Sequence, residues 1–282
     1  MIPSMTINCK GKLLDLSKPK VMGILNLTPD SFYDGGRNQQ ENLALKRIEI
    51  MISEGLDILD IGGQTTKPGS EMISSEEELN RISSILVQIH KNFPDVIISI
   101  DTFYSAVAKE AIDLGAHIVN DISAGSIDKK MFETVADLNV PYILMHMQGK
   151  PKNMQHQPSY ENIIIEINQF FSEKIQKLKA LQINDIILDP GYGFGKTTRN
   201  NFELLKNQKL IGFGDYPLLI GVSRKSMICK TLNIKPNNAL NGTTAIHMLA
   251  LQNGAKILRV HDVKEAKECI QLYESYDSIQ IL

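Results

Sequence analysis

Short apolar runs alternate with longer amphipathic stretches along most of the chain. Each apolar run ends in a polar, turn-rich segment, as buried parallel strands do. A helical pattern follows every run, so the sequence predicts eight strand–helix units, which are typical of a (β/α)8 (TIM) barrel. The predicted strands cover residues 21–27, 56–62, 96–101, 117–122, 142–147, 186–191, 217–222 and 256–260.

An open doubly wound sheet is the alternative architecture. It usually carries a glycine-rich first turn, and the segment after the first predicted strand, LNLTPDSF, does not match GxGxxG. Without a linker or low-complexity segment, residues 1–282 are interpreted as a single domain. Within it, residues 1–20 form an N-terminal hairpin extension and residues 21–276 form the barrel. Residues 6–16, with Gly11 at the turn, are expected to cover the barrel floor as this hairpin.

Two helix starts carry side-chain signals. Ser75 and Glu78 have the spacing of a capping box, in which each side chain bonds the backbone N–H of the other residue. Asp262 and Glu265 are predicted to cap the last helix.

Composition excludes several classes of function. A net charge of −2 and a pI near 6.3 give no basic footprint for nucleic acid or for an anionic membrane. The three cysteines are far apart and show no zinc spacing, so reduced thiols are expected. No secretory signal and no apolar stretch near 18 residues is present, so the expected location is the cytoplasm, without a membrane partner.

Polar side chains follow every predicted strand, where the active sites of such barrels lie. One set mixes donors and acceptors and suits a flat heterocycle with an amide-like edge. A second set bears cations and hydroxyls and suits a pyrophosphate. Asn26 could add an oxygen to a Mg²⁺ shared with that pyrophosphate. The first set is Asp101, Asn120, Asp189 and Lys225, and the second is Thr66, Lys67, Arg259 and His261.

The segment GYGFGK, residues 191–196, is interpreted as a flexible glycine loop. Its aromatic residues, Tyr192 and Phe194, could stack on a ring. The segment does not match the Walker pattern GxxxxGK[ST], so no P-loop is predicted.

Eight stretches together resemble the dihydropteroate synthase family, in the family's order and over nearly the whole chain. The first stretch and the SRKS motif are the most specific. The stretches are GILNLTPDSFYDGG, DIGGQTTKPG, SIDTFYSAVAKEA, VNDISAG, LMHMQGKPKNMQ, LDPGYGFGKT, GVSRKSMI and RVHDV.

The resemblance implies a transferase of folate synthesis that uses Mg²⁺. It would join 6-hydroxymethyl-7,8-dihydropterin diphosphate to 4-aminobenzoate and release pyrophosphate and 7,8-dihydropteroate. A homodimer through the last helices and competition by sulfonamides are also implied. Two alternatives stay open, a methyltetrahydrofolate-dependent methyltransferase and a non-catalytic pterin-binding paralogue.

The resemblance also assigns roles to individual residues. The pterin would contact Asp101, Asn120, Met145, Asp189, Phe194 and Lys225. The pyrophosphate would contact Asn26, Thr66, Lys67, Arg259 and His261, with Asn26 also on Mg²⁺. The aminobenzoate would contact Phe32, Thr66, Pro68 and Ser226, and the catalytic set would be Asp101, Asp189, Lys225 and Arg259.

The second stretch departs from the family's usual Gly-Gly-Glu-Ser-Thr-Arg-Pro. Gln64 replaces the glutamate, Thr65 the serine and Lys67 the arginine. Lysine keeps the charge but lacks the planar fork that binds an oxyanion through two bonds. Weaker capture of pyrophosphate or aminobenzoate is therefore expected, and Lys67→Arg should lower KM.

Overall fold

The computed structural model describes residues 5–28, 37–64, 72–149 and 158–279. Two antiparallel strands come first, β1 (Thr6–Cys9) and β2 (Lys12–Asp15). Eight parallel strands then close into a barrel, as the sequence predicts. These are β3 (Lys20–Asn26), β4 (Ile58–Gly62), β5 (Ile97–Asp101), β6 (Ile118–Asp121), β7 (Tyr142–Met145), β8 (Ile186–Asp189), β9 (Leu218–Ile220) and β10 (Ala255–Val260).

Helices alternate with the barrel strands along the chain. They are α1 (Arg37–Ser53), α2 (Ser75–Asn92), α3 (Ser105–Asp113), α4 (Met131–Leu138), α5 (Ile163–Ala180), α6 (Thr198–Lys206), α7 (Ser226–Leu232), α8 (Leu240–Gln252) and α9 (Val263–Asp277). Their buried side chains pack outward-facing strand residues into one core, to which Ile48, Ile82, Phe171 and Leu178 belong.

The first barrel strand, β3, pairs with the last, β10, and this pairing closes the barrel. The strand register places several polar side chains at one level. Asn26 is opposite Gly62, Gly62 is opposite Asp101, and Asp101 is opposite Asn120. Because parallel strands present their carboxyl ends at the same rim, these groups meet there.

The hairpin β1–β2 covers the opposite end of the barrel, as predicted. Gly11 occupies its turn with φ +93°, a conformation that glycine adopts without a steric penalty. The apolar side chains of the hairpin join the bottom layer of the barrel interior in one buried cluster. That cluster contains Ile7, Cys9, Leu14, Leu16, Met22, Ile58, Ile118, Ile143, Ile187, Leu219 and Ile257.

Both predicted capping pairs are wrong in detail. Ser74, not Ser75, caps α2, since its side chain accepts a hydrogen bond from the backbone N–H of Glu77. Glu78 is fully buried instead of reaching back to the cap. Asp262 precedes α9 but makes no capping bond, because an arginine from another loop takes both of its carboxylate oxygens.

Candidate active site

A cavity lies at the rim where the carboxyl ends of the barrel strands meet. Seven residues of the set inferred from the sequence line it together, although they come from six different strands or the loops that follow them. These are Asp101, Asn120, Met145, Asp189, Phe194, Lys225 and Arg259. Ile122, Tyr192 and Gly221 complete the lining.

Arg259 joins two carboxylates on this rim. Its Nε donates to Asp60 Oδ2 at 2.7 Å, and its Nη2 donates to Asp101 Oδ2 at 2.6 Å. Asp60 is fully buried and also accepts from the amide of Asn120, at 3.3 Å for each carboxylate oxygen. A fixed guanidinium fork that spans two carboxylates restricts the orientation of all these groups.

Burial shifts the pKa values of the charged groups in the cavity. Burial raises the pKa of Asp101 although Arg259 opposes the rise, and Asp60, Asp121 and Asp189 add to it. Burial also raises the pKa of Asp189, against the hydrogen bond that its carboxylate accepts from the backbone N–H of Gly191 at 2.7 Å. The cavity is therefore lined by buried carboxylates, and nearby cations stabilise their charged forms.

Lys225 supplies a second cation to the cavity. Its Nζ lies 4.1 Å from the centre of the Phe194 ring, within cation–π range. Burial lowers its pKa to about 8, with Asp189 opposing the shift. A carbonyl or an anion that enters the cavity would therefore stabilise the charged form of this ammonium.

The loop that carries Lys225 is tied to the loop after β10. Arg224 has φ +56°, in the left-handed region that side chains other than glycine rarely adopt. Its Nε and Nη2 donate to the two carboxylate oxygens of Asp262 at 2.9 and 2.6 Å, and its N–H donates to Thr243 Oγ1 at 3.1 Å. These bonds fix the backbone on the N-terminal side of Lys225.

The remaining described residues of the predicted set lie around this rim. His261 follows β10, and burial together with Arg259 and Arg224 lowers its pKa to about 4, so its imidazole is neutral rather than cationic. Ser226 is exposed at the start of α7. Asn26 is half-buried at the end of β3, with its Oδ1 3.7 Å from the point where a Gly62 Cβ would lie.

The glycine loop is packed rather than flexible, which corrects the sequence interpretation. A Cβ added at Gly191 would lie 1.9 Å from the carbonyl oxygen of His146, and one at Gly195 would lie 2.3 Å from that of Gln148. Tyr192 is buried, with its hydroxyl 3.1 Å from Gln208 Oε1. The loop therefore presses on the chain after β7, and only glycine fits at its two closest approaches.

The comparison with known families decides the family of the chain. Residues 22–261 match the family described as pterin binding enzyme. Dihydropteroate synthase from Escherichia coli strain K12 is 43% identical over 273 residues, which cover 96% of both chains. The Haemophilus influenzae enzyme of the same name is 38% identical over 96% of this chain and 98% of its own. The chain belongs to the dihydropteroate synthase family of pterin-binding enzymes. It is accordingly a transferase.

Solved structures from this family share the architecture described above. A Yersinia pestis dihydropteroate synthase in a sulfonamide drug complex has a TM-score of 0.92 and 42% identity, covering 98% of this chain and 100% of its own. A Xanthomonas albilineans dihydropteroate synthase with 4-aminobenzoic acid has a TM-score of 0.92 and 35% identity, with the same coverage. The resemblance seen in the motifs is therefore confirmed at the level of family and fold.

Four residues that the family resemblance assigns to substrates lie outside the described residues, namely Phe32, Thr66, Lys67 and Pro68. The departure from the family pattern at Gln64 can be placed. Its Oε1 accepts from the N–H of Ile73 at 3.3 Å, and its Nε2 donates to the carbonyl of Ile73 at 3.0 Å. A glutamate could not donate the second bond, so glutamine suits this pairing.

Sequence reasoning gave no site role to two residues that shape the cavity of this pterin-binding enzyme. Asp60, in β4, is the carboxylate that Arg259 and Asn120 share. Lys196, which ends the glycine loop, is buried with its Nζ among backbone carbonyls. Lysine at the end of a glycine-rich run was the one available signal.

The described residues contain no group of three or more His, Cys, Asp or Glu side chains that could hold a metal ion. Asn26 offers one neutral oxygen at the rim, while the nearby carboxylates of Asp60 and Asp101 bond to Arg259. This donor set fits a Mg²⁺ only if the ion takes most of its ligands from phosphate and water.

None of the helices that the structure describes is long and apolar enough to cross a membrane.

Proposed function

We propose that this protein joins 6-hydroxymethyl-7,8-dihydropterin diphosphate to 4-aminobenzoate, forming 7,8-dihydropteroate and releasing pyrophosphate. The family supports the reaction, and a Xanthomonas albilineans relative, 34% identical with a TM-score of 0.87, is a structure in complex with 7,8-dihydropteroate. The observation that carries the proposal is the cavity in which Asp101, Asn120, Asp189 and Lys225 converge around Arg259. An amino-pyrimidine edge needs this mixture of acceptors and donors.

The pterin would enter with its amino-pyrimidine edge toward Asp189, because an aspartate accepts two parallel N–H bonds. Asn120 and Asp101 would meet the other ring nitrogens, and Lys225 the ring carbonyl. Met145 and Phe194 are buried apolar neighbours in one small cluster and would pack near the ring. A bound carbonyl or anion would favour the charged form of Lys225, whose pKa burial has lowered.

The chemistry is a dissociative substitution. The bond between the pterin methylene carbon and the diphosphate oxygen breaks first, and its electron pair leaves with the oxygen. The amine of 4-aminobenzoate then forms the new C–N bond and loses a proton. Asp101 and Asp189 stabilise the positive charge that spreads into the pterin, so the protein supplies electrostatic stabilisation and no nucleophile.

The pyrophosphate is assigned to the cations and hydroxyls at the outer rim. The Nε and Nη2 of Arg259 face carboxylates, so we assign its Nη1 to the pyrophosphate. Asn26 would hold a Mg²⁺ that arrives with the diphosphate, and the ion would supply charge stabilisation to the leaving group. Neutral His261 would act as a hydrogen-bond donor, with Thr66 and Lys67 on the second loop completing the set.

The second substrate is assigned to the loops after β3 and β4, with Phe32, Thr66 and Pro68, and to Ser226 at the start of α7. Sulfonamides would compete with 4-aminobenzoate there, as the drug complex of the Yersinia pestis relative suggests. Titration of 4-aminobenzoate against a sulfonamide at saturating pterin diphosphate tests this assignment, since competition raises KM without changing kcat.

Asp101→Asn tests the role of the buried carboxylate. The variant keeps the shape but loses the charge, so kcat should fall on the order of a hundredfold or more while pterin affinity changes little. Asp128→Asn is the matched control, because that carboxylate bonds the N–H of Ser105 outside the cavity. If Asp101→Asn changes only KM, the carboxylate does not stabilise the transition state.

Oxygen scrambling tests the order of bond breaking. With ¹⁸O in the bridge between the methylene carbon and phosphorus, reversible cleavage moves the label into other phosphate positions before any amine is added. Scrambling without 4-aminobenzoate supports the dissociative order, and scrambling only with the amine opposes it.

A non-catalytic pterin-binding paralogue would bind the diphosphate and release no pyrophosphate with the amine present. A methyltransferase would not use the diphosphate.

We assign a homodimer to the last helices. Leu249 on α8 and Leu272 and Tyr276 on α9 are large side chains exposed by 45%, 65% and 62%. Analytical ultracentrifugation of the native protein and of Leu272→Glu tests this assignment, since the variant should shift toward monomer. A cytoplasmic location remains a prediction from the sequence.

A further inference from the structure

We propose that Lys196 is a positioning residue for the pterin half of the site: it holds the loop of residues 191–196 against the chain that follows β7 and thereby sets the position of the Phe194 ring. This inference rests on the proposed function, because it concerns the pterin that the cavity would bind. Lys196 does not line the cavity itself.

The ammonium of Lys196 is surrounded by acceptors from the loop and from His146, which follows β7. Its Nζ lies 2.9 Å from the carbonyl oxygen of Gly191, 3.1 Å from that of Phe194 and 3.0 Å from Nδ1 of His146. The carbonyl oxygen of His146 lies at 3.4 Å, so the three N–H groups of the ammonium are shared among four acceptors. The side chain is 3% exposed.

Nδ1 of His146 makes one of these contacts, at 3.0 Å. Burial, and then the charge of Lys196, hold the pKa of His146 well below its usual range, so its ring is neutral and Nδ1 can accept. The ring is itself fixed by an edge-on contact with Phe170, whose centroid lies 4.9 Å away. The ammonium is therefore held by the residue that follows β7, which is itself packed against α5.

Among the side chains that bond to this loop, Lys196 contacts the backbone of Phe194 itself as well as that of Gly191. Tyr160 donates to the carbonyl of Gly195 at 2.8 Å, and Asn201 accepts from the N–H of Gly193 at 2.8 Å. Neither of these bonds involves the backbone of Phe194. The bond from Lys196 to the carbonyl of Phe194 does, and the same ammonium holds Gly191, whose N–H bonds to Asp189.

Lys196 affects the cavity through two of its lining residues, Phe194 and Asp189. The ring of Phe194 faces Lys225 at 4.1 Å, and the carboxylate of Asp189 takes its orientation from the N–H of Gly191. Without the ammonium, the carbonyl of Phe194 loses the donor of Lys196, and the carbonyl of Gly191 keeps only the N–H of Phe194 at 3.1 Å. A buried carbonyl that has lost its donor destabilises this arrangement of the loop. Both pterin contacts would then move together.

Affinity for pterin diphosphate, measured by calorimetry in the presence of Mg²⁺, is the first test. Lys196→Met keeps the length of the chain and removes the donors, so the Kd should rise about tenfold or more, the equivalent of one well-made buried hydrogen bond. Lys10→Met is the matched control, since Lys10 donates to the carbonyl of Ile112 at 2.9 Å at the opposite end of the barrel. The control should leave the Kd within about twofold.

A double-mutant cycle with Phe194→Ala separates positioning from a general loss of stability. If Lys196 acts through Phe194, removal of the ring should weaken pterin binding much less in Lys196→Met than in the native protein. Additive effects would overturn the inference. An unchanged Kd in Lys196→Met would overturn it as well. Failure of the native protein to bind pterin diphosphate would instead refute the proposed function.

A pair of substitutions at His146 keeps the test available if Lys196→Met does not fold. His146→Asn retains an acceptor near the position of Nδ1, and His146→Leu removes it. The Leu variant should raise the Kd for pterin diphosphate severalfold, and the Asn variant should restore most of the affinity. Equal affinities in the two variants would overturn the inference, because the ammonium would then not depend on that acceptor.

Discussion

Replacement of Arg259 by Met would leave two carboxylates in the barrel rim without the guanidinium that joins them. Asp60 is fully buried and Asp101 is 9% exposed, and both bond to Arg259 within 2.7 Å. Removal of one partner from a buried ion pair costs about 3–5 kcal/mol. We therefore expect the free energy of unfolding to fall by about 3 kcal/mol or more at pH 8. The chain has no tryptophan, so urea unfolding is best followed by circular dichroism.

The size of this loss should depend on pH, because Asp101 can avoid the penalty by binding a proton. Burial raises its pKa to about 7 in the native protein, against Arg259, whereas an unfolded aspartate titrates near about 3.9. Without Arg259 the folded pKa rises further. Above pH 7 the folded variant then keeps a proton that both the unfolded chain and the native protein have released. Its stability falls there by up to about 1.4 kcal/mol per pH unit relative to the native protein.

The deficit of Arg259→Met should therefore be larger at pH 8 than at pH 6. Glu78, whose pKa burial raises to about 8, affects native and variant protein alike and cancels in the difference. Adding Asp101→Asn to Arg259→Met should remove the growth of the deficit with pH. A deficit that is equal at the two pH values, or that the second substitution leaves unchanged, would refute this reasoning.

Three further predictions concern the scaffold. Gly191→Ala should lower the free energy of unfolding by about 3 kcal/mol or more, since φ is +68° and the new Cβ would meet a backbone oxygen. Gly254→Ala, with φ +89° and open space around the new Cβ, should lower it by about 1 kcal/mol. Ser74→Ala should cost about 1 kcal/mol and Ser75→Ala less than about 0.5 kcal/mol, which thermal unfolding of the two variants distinguishes. Tyr142→Phe removes a 2.7 Å bond to a buried carboxylate and should cost about 1–3 kcal/mol in urea unfolding, with kcat unchanged.

The barrel could be predicted because its physical signal is local. A buried strand appears in the sequence as a short apolar run and a covering helix as an amphipathic stretch. Eight repeats of this pair are compatible with few architectures. The rim residues followed from the same logic, since strands that run parallel bring their ends together. Asp101, Asn120 and Asp189 could therefore be grouped although they are far apart in the sequence.

The missed features depend on partners that are distant in the chain. Asp262 has the sequence of a helix cap, but Arg224 competes for its oxygens across 38 residues. The choice of Ser74 over Ser75 rests on a shift of one residue, which neither propensity nor spacing resolves. The contacts of Lys196 involve His146, 50 residues away, whose position the sequence does not give.

The closure of the barrel by β10 against β3 has a consequence for synthesis on the ribosome. Arg259 follows Asp60 by 199 residues and Asp101 by 158. At about 5–20 residues per second, roughly 10–40 s pass between translation of Asp60 and of its cation. During that interval the nascent chain carries the carboxylates of the rim without Arg259. The last strand to be translated therefore both closes the barrel and supplies the cation that these carboxylates bond. A chain truncated before β10 should therefore fail to form a stable rim, however complete its other seven strands are.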